Sequence, residues 1–317
     1  MSNSCKDIDK QANFIEVGAE HAGRRLDNFL LAYLKTVPKS RVYRIVRRGE
    51  VRVNKGRIKP DYRLQAGDRV RIPPLWIEAT APVSAPAGHL LARIERSVLH
   101  EDNSLLVLNK PAGIAVHSGS GVEHGVIEAM RALRPEAAFI ELVHRLDRDT
   151  SGCLMLAKTR QVLLALHAML RTGDIEKYYL GLVKGRWQGG AQTVNAALRR
   201  NVLRSGERMV QVTEEGKLSE SVFEPQRIFA EASLMRIGLH SGRTHQIRVH
   251  ATHIGYPLAG DDKYGEADFN RSMRAFGVKR VFLHAREVVL QHPETNRKIH
   301  ITAPLPDDLQ SVLERLA

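Results

Sequence analysis

The sequence predicts an α+β protein, in which a large domain built on a mixed, mostly antiparallel β-sheet follows a small N-terminal α/β domain. Three observations predict it. Short apolar runs of strand length recur at 105–108, 153–157, 178–183, 234–239, 281–283 and 299–301, and helical patterns interrupt them only near 125–134 and 160–172. Strands interleaved with so few helices argue against a doubly wound parallel fold. Positive charge is concentrated at the front: residues 20–74 hold 15 Lys or Arg against 5 Asp or Glu, a net +10 out of +13 for the whole chain. Between the two parts, residues 75–95 are rich in Ala, Pro and Ser. At 317 residues and 43% hydrophobic, the chain is long enough and apolar enough to bury a substantial core.

Residues 1–18 read as a polar tail. In the front domain, 19–74, Leu26, Phe29, Leu30, Tyr33 and Leu34 recur at the spacing of one helix face. Pro38 ends that helix, and Ser40 is placed to cap a second. There Val42, Ile45 and Val46 face inward, while Arg41, Arg44, Arg47 and Arg48 fall mostly outward. Gly49 stops this helix. Val51 and Val53 form a short strand, Asn54-Lys55-Gly56 turns the chain, and Val70 and Ile72 supply another strand. Pro82 and Pro86 keep 75–95 from forming a regular helix, so this stretch reads as the linker, and the second domain spans 96–317. A positive field of this density is the footprint of a polyanion binder. The bland alternative is a solvated basic face with no partner.

In the second domain Phe139–Val143 reads as a buried strand running into His144-Arg145-Leu146-Asp147-Arg148-Asp149-Thr150-Ser151-Gly152. A strand that delivers a carboxylate into a polar turn can present it for catalysis. An Asp at that place can equally cap the turn and pair with an Arg, and spacing leaves both open. The helix at 160–172 opens with Thr159 and closes at Gly173. Histidines 240, 245, 250 and 253 invite a metal reading, and over a helix at 244–254 His250 and His253 would share a face. No carboxylate or Cys completes a zinc set there, and Arg248 places a cation among them, so no metal is expected. The two cysteines are far apart, and there is neither a signal-peptide pattern nor an apolar run of membrane-spanning length. A reduced, cytoplasmic protein is expected.

His144–Asp147 followed by Thr150–Gly152 resembles the signature of the ribosomal large-subunit type of pseudouridine synthase. Lys177-Tyr178-Tyr179-Leu180 and Gly242–His250 resemble its Lys-x-Tyr and Gly-Arg-x-His-Gln-Ile-Arg elements. Leu108–Gly113 and Gly260–Gly265 also fit, and the wording of the front segment and of Glu141–Gly152 is nearest to the C-type members. The front domain resembles the S4 RNA-binding domain. The resemblance implies a long mixed sheet with the active-site cleft across its middle, and isomerisation of several uridines in 23S (large-subunit) ribosomal RNA without a cofactor.

It also implies roles for particular residues. Asp147 is the catalytic carboxylate, Arg248 (or Arg243) its cationic partner, and Tyr179 the stacking tyrosine. Arg145 fills the gap left by a flipped base, Lys110 and Arg148 meet phosphates, and Lys177, Arg243, His245 and Gln246 complete substrate binding. Asp149 is structural. Arg41, Arg44, Arg47, Arg48, Lys55 and Arg57 dock RNA through the front domain. The expected partner is ribosomal RNA bound by a monomer. Three other readings compete: a non-catalytic RNA-binding or ribosome-assembly factor, a hydrolase using Asp147 and Asp149 as an acid–base pair, and a synthase acting on transfer RNA.

Overall fold

The computed structural model describes residues 12–18, 21–34, 37–75, 85–119, 122–202 and 208–317. The chain divides into two compact units, Met1–Ala85 and Pro86–Ala317.

The first unit runs β1 (Asn13–Glu16), α1 (Leu26–Tyr33), α2 (Lys39–Arg47), β2 (Arg52–Val53), β3 (Gly56–Arg57) and β4 (Arg69–Ile72). Its four strands form an antiparallel sheet in the order β1-β4-β2-β3. Leu26, Phe29 and Leu30 of α1 and Val42, Ile45 and Val46 of α2 bury in one core with Val53, Val70 and Ile72. Tyr33 departs from the expected apolar face of α1, being half exposed, whereas Leu34, the residue that caps the helix, packs against the core. The second helix begins at Lys39 with Pro38 as its N-cap, so Ser40 lies inside the first turn and does not cap. Asn54 and Lys55 both take left-handed backbone (φ 50° and 69°), the two-residue turn that suits the twist of a hairpin. Asn13–Glu16, expected in the tail, instead completes the sheet along β4. Val17, also expected in the tail, is buried in this core, and residues 1–11 lie outside the described residues.

Of the expected linker, residues 76–84 also lie outside the described residues, and its last part is not linker. Gly88–Glu95 forms α3, which buries Ile94 in the core of the second unit, with Leu90 and Leu91 packed against that core. After Pro86 nothing opposes a helix, and the 90, 91, 94 spacing supplies an apolar stripe. The unit continues through β5 (Val98–Glu101), β6 (Leu105–Lys110), α4 (Val126–Leu133), β7 (Glu141–Leu142), β8 (Ser151–Ala157), α5 (Arg160–Thr172) and β9 (Glu176–Lys184). Then come β10 (Gln192–Val202), β11 (Arg208–Val212), β12 (Lys217–Ile228), β13 (Ala232–Leu239), α6 (Gln246–His253), α7 (Ala267–Ala275), β14 (Leu283–Gln291), β15 (Lys298–Thr302) and α8 (Asp307–Leu316). The sheet order is β11-β10-β12-β13-β9-β14-β8-β6-β5, with β15 added on β14 and β7 on β8. All these pairings are antiparallel except β14 with β8.

Burial follows from this order. β8 sits between β6 and β14 and every one of its residues is buried, which is why it reads as a continuous apolar run. β9 alternates instead, turning Lys177 and Tyr179 to one face. Helix α5 has the expected ends: the Thr159 hydroxyl accepts the Val162 N–H, and Gly173 closes it in left-handed backbone. The expected strand at 139–143 shrinks to Glu141–Leu142, half-buried beside β8. At the centre, Gly152 has φ 110°, and a Cβ there would stand 2.2 Å from the Ala285 carbonyl oxygen. Only glycine lets β14 run so close beside β8.

Candidate active site

Three segments converge on a cleft of about 700 Å³. The β7–β8 loop brings Arg145, Leu146, Asp147 and Thr150. The first half of β9 brings Lys177 and Tyr179, and the β13–α6 turn with the first turn of α6 brings Arg243 through Arg248. Tyr179 lies in register with Ile237 on one side and Ala285 on the other, and Ala285 faces Gly152. The two small residues beyond Tyr179 in that row carry almost no side chain into the space beside its ring.

Asp147 is anchored through its own turn, its carbonyl accepting the Thr150 N–H at 3.2 Å. Its carboxylate, about one-fifth exposed, receives Arg248 Nη1 at 3.3 Å and faces His245 Nε2 at 3.6 Å. The main anchor of Arg248 lies elsewhere. Its Nε and Nη2 each meet the Asp261 carboxylate at 2.7 Å, a two-pronged pair on a side chain almost wholly buried. Asp261 also accepts the backbone N–H groups of Lys263 and Tyr264, both at 3.0 Å. Burial alone would push the Asp261 carboxyl up, but Arg248 and these two N–H groups outweigh it and hold the group below the usual carboxylate range. The Arg248 guanidinium stands 5.0 Å over the Tyr264 ring.

Sequence reasoning missed Asp261 and Tyr264 as site residues. The signal was the Gly260–Gly265 segment itself, which was matched but given no role. Its first residue is constrained too: a Cβ on Gly260, at φ 70°, would meet the Arg280 carbonyl oxygen at 2.1 Å.

Tyr179 is buried, and burial followed by the charge of Asp147 pushes its hydroxyl pKa up, so the phenol stays neutral at physiological pH. Lys177 lines the same wall, its ammonium pulled down by burial. His144 is neutral: burial lowers it to about 4, and its Nε2 accepts the Met155 N–H at 3.1 Å, tying the loop to β8. Arg145 and Arg243 are exposed and line the cleft. Asp149 is exposed and absent from the lining.

Two expected substrate contacts are corrected. Lys110 does not reach solvent. Its Nζ donates to the carbonyls of Pro111 (2.8 Å), Ile114 (3.0 Å) and Arg148 (3.0 Å), so it staples the Asp147 loop from behind and meets no phosphate. Gln246 is also committed. Its Oε1 accepts Ser241 Oγ–H and Arg243 N–H, and its Nε2 donates to the Glu220 carbonyl and Ser221 Oγ. An amide has four hydrogen-bonding positions and all four are used, so this side chain shapes the Gly242 turn and has none left for substrate. Nor do His250 and His253 share a surface. His250 is buried between Ser219 and Ser221, both at 3.1 Å, with burial lowering it to about 4, while His253 is exposed. In the first unit Arg44, Arg47, Arg48 and Lys55 are exposed and Arg41 is half-buried. Arg57 is exposed but donates to the Arg47 carbonyl at the end of α2.

A central sheet with a carboxylate, an arginine and a tyrosine meeting in its cleft, preceded in the chain by a small basic unit, is shared with a known family. The model described as RNA pseudouridylate synthase matches residues 104–253, and the S4 domain model matches residues 24–70. The "Ribosomal large subunit pseudouridine synthase C" of Haemophilus influenzae is 50% identical over 313 residues, 98% of this chain and 97% of that protein. The proteins of the same name from Yersinia pestis and Escherichia coli K12 are 52% identical over 300 residues (94% of each chain) and 51% identical over 306 (95% of this chain, 96% of that one). The chain belongs to the RNA pseudouridylate synthase family, whose members are isomerases converting uridine to pseudouridine. The structure called human RNA pseudouridylate synthase domain containing 4 superposes with a TM-score of 0.60 at 22% identity, covering 72% of this chain and 95% of that one, and shows the shared fold.

Proposed function

We propose that this chain isomerises uridines of large-subunit ribosomal RNA to pseudouridine in the cytoplasm, with Asp147 as the catalytic carboxylate. The carrying observation is the placement of Asp147 on the cleft floor, partly open to a substrate and held by an arginine whose other prongs are buried on Asp261. The reaction breaks the N1–C1′ bond, turns the detached uracil and joins C5 to C1′, and the proton at C5 leaves as one returns to N1. Atoms and oxidation state balance without a co-reactant, so side chains suffice. An ionised carboxylate suits either covalent attack or proton transfer. Tyr179 supplies an apolar ring face and, as a neutral phenol, an O–H donor. The uridine reaches Asp147 only out of its stack, at a cost of about a few kcal/mol. Arg145, which is exposed and lines the cleft, occupies the gap it leaves. Lys177, Arg243 and His245 complete the substrate-facing wall. Arg41, Arg44, Arg47, Arg48 and Lys55 dock RNA phosphates as a monomer's second binding surface.

The test is Asp147→Asn, which keeps the shape and removes the charge. Pseudouridine formation, mapped over ribosomal and transfer RNA, should vanish while RNA affinity stays within about several-fold, since uncharged packing is retained. Turnover that survives in Asp147→Asn and dies in Asp149→Asn would overturn the assignment. Release of free uracil would mark a hydrolase, and sites confined to transfer RNA would move the substrate.

A further inference from the structure

The Gly260–Gly265 segment reaches Asp147 by a second route, through His245. This residue takes left-handed backbone (φ 55°) as the N-cap of α6, and its ring lies between two oxygens. Nδ1 is 2.7 Å from the Tyr264 hydroxyl, and Nε2 is 3.6 Å from Asp147 Oδ2. The Tyr264 hydroxyl is itself pinned by β11, accepting the Val210 N–H at 3.0 Å. An oxygen that accepts from Val210 keeps its proton for another acceptor, and Nδ1 is the one in reach. A neutral imidazole that accepts at Nδ1 carries its proton on Nε2, the side turned to Asp147. Burial lowers the His245 pKa ahead of every opposing influence, which favours the neutral ring. The second partner is needed because Arg248 is shared. Two of its three donating nitrogens go to Asp261 at 2.7 Å, and only one, at 3.3 Å, goes to Asp147.

We propose that Tyr264 is a positioning residue for Asp147: its hydroxyl, fixed by Val210, holds His245 in the tautomer that aims Nε2–H at the carboxylate. Its ring backs the guanidinium of the other partner, so one side chain orders both groups that face Asp147. This rests on the assignment of Asp147 proposed above. It also links that carboxylate to the β10–β11 edge of the sheet, through two hydrogen bonds from Val210 to Tyr264 and on to His245, whose Nε2 then stands 3.6 Å from Asp147.

The test uses the full chain. In protein labelled with ¹⁵N-histidine, the shifts of His245 should report a neutral ring protonated on Nε2, and Tyr264→Phe should erase that preference. With saturating RNA, Tyr264→Phe should slow single-turnover pseudouridine formation about tenfold, the loss of one neutral hydrogen bond, while RNA affinity stays within about twofold. Because Tyr264 acts through His245, adding Tyr264→Phe to His245→Ala should cost less than about twofold more. A residue that only packs against Leu198, Val210 and Val249 would give additive costs and leave the tautomer alone. Additive costs overturn the inference, as does a wild-type His245 protonated on Nδ1. The wild-type spectrum decides the matter even if Tyr264→Phe does not fold. Asp147→Asn, run alongside, separates the failures. If it keeps turnover, the assignment of the carboxylate falls. If it is dead while Tyr264→Phe is as fast as wild type, only the positioning role falls.

Discussion

Arg248→Ala should destabilise the second unit, and most of the cost arises at Asp261, with less at Asp147. The substitution removes two contacts of 2.7 Å to a carboxylate that is 1% exposed and one of 3.3 Å to a carboxylate in the open cleft. Deleting one partner of a buried ion pair costs about 3–5 kcal/mol, because the other charge is left uncompensated. Asp261 keeps the N–H groups of Lys263 and Tyr264, which places the loss toward the low end, about 3 kcal/mol. For a unit of this size that is a fall of about 6–12 °C in melting temperature.

The pH dependence follows in sign. In the wild type the Asp261 pKa is depressed, so its contribution is present above the unfolded carboxylate value and is lost as pH falls through the folded one. Without Arg248 the leading cause that remains is burial, which raises the pKa, so the variant gains by becoming protonated as pH falls. The gap between the two proteins should therefore be widest at neutral pH and narrow toward about pH 4. Calorimetry of both proteins at pH 7.5, 6 and 5 measures it. Arg248→Lys, which keeps the charge and loses the fork, should fall between them. A gap under about 2 °C at neutral pH, where a loss of about 3 kcal/mol should show plainly, or one that widens on acidification, would refute the reasoning.

Two further outcomes are expected. Removing residues 1–85, which leaves α3 whole, should weaken RNA binding and lower the slope of log affinity against log salt by about 3–4, at ~0.7 per phosphate contact for Arg41, Arg44, Arg47, Arg48 and Lys55. An unchanged slope would show that this unit does not dock the substrate. Lys110→Met should cost about 3 kcal/mol by removing three hydrogen bonds to backbone carbonyls, at ~1 kcal/mol for each lost bond. The same variant should leave the salt slope intact, and a reduced slope would restore Lys110 as a phosphate contact.

Local periodicity makes much of the architecture legible in the sequence. The face of α2 can be read from spacing, the ends of α5 from its capping residues, and the cores of β6, β8, β9, β13 and β15 from apolar runs of strand length. The long strand β12 leaves no such trace, because two of the residues it turns inward are Ser219 and Ser221. Its neighbour β10 does alternate, burying Val194, Ala196 and Leu198, but Ala196 and the charged residues that follow make the apolar signal weak. The helix α3 hides inside a stretch whose prolines suggest a linker, although they stop short of its start.

The site divides along the same physical line. The sequence by itself determined which residue types were available: two carboxylates in a polar turn, a tyrosine on a strand, an arginine in a His-Gln-Ile-Arg run and a dense basic front. Only the tertiary structure decided their partners, because side-chain pairing depends on distances that no spacing rule spans. Arg248 and Asp147 are 101 residues apart and meet because β14 brings β8 beside β9. Burial reversed two expected roles. Lys110, a plausible phosphate ligand by type, turned inward to three carbonyls, and Gln246 used its whole amide on the turn that carries it. A polar side chain in the interior must be satisfied where it lies, and where it lies is a property of the fold.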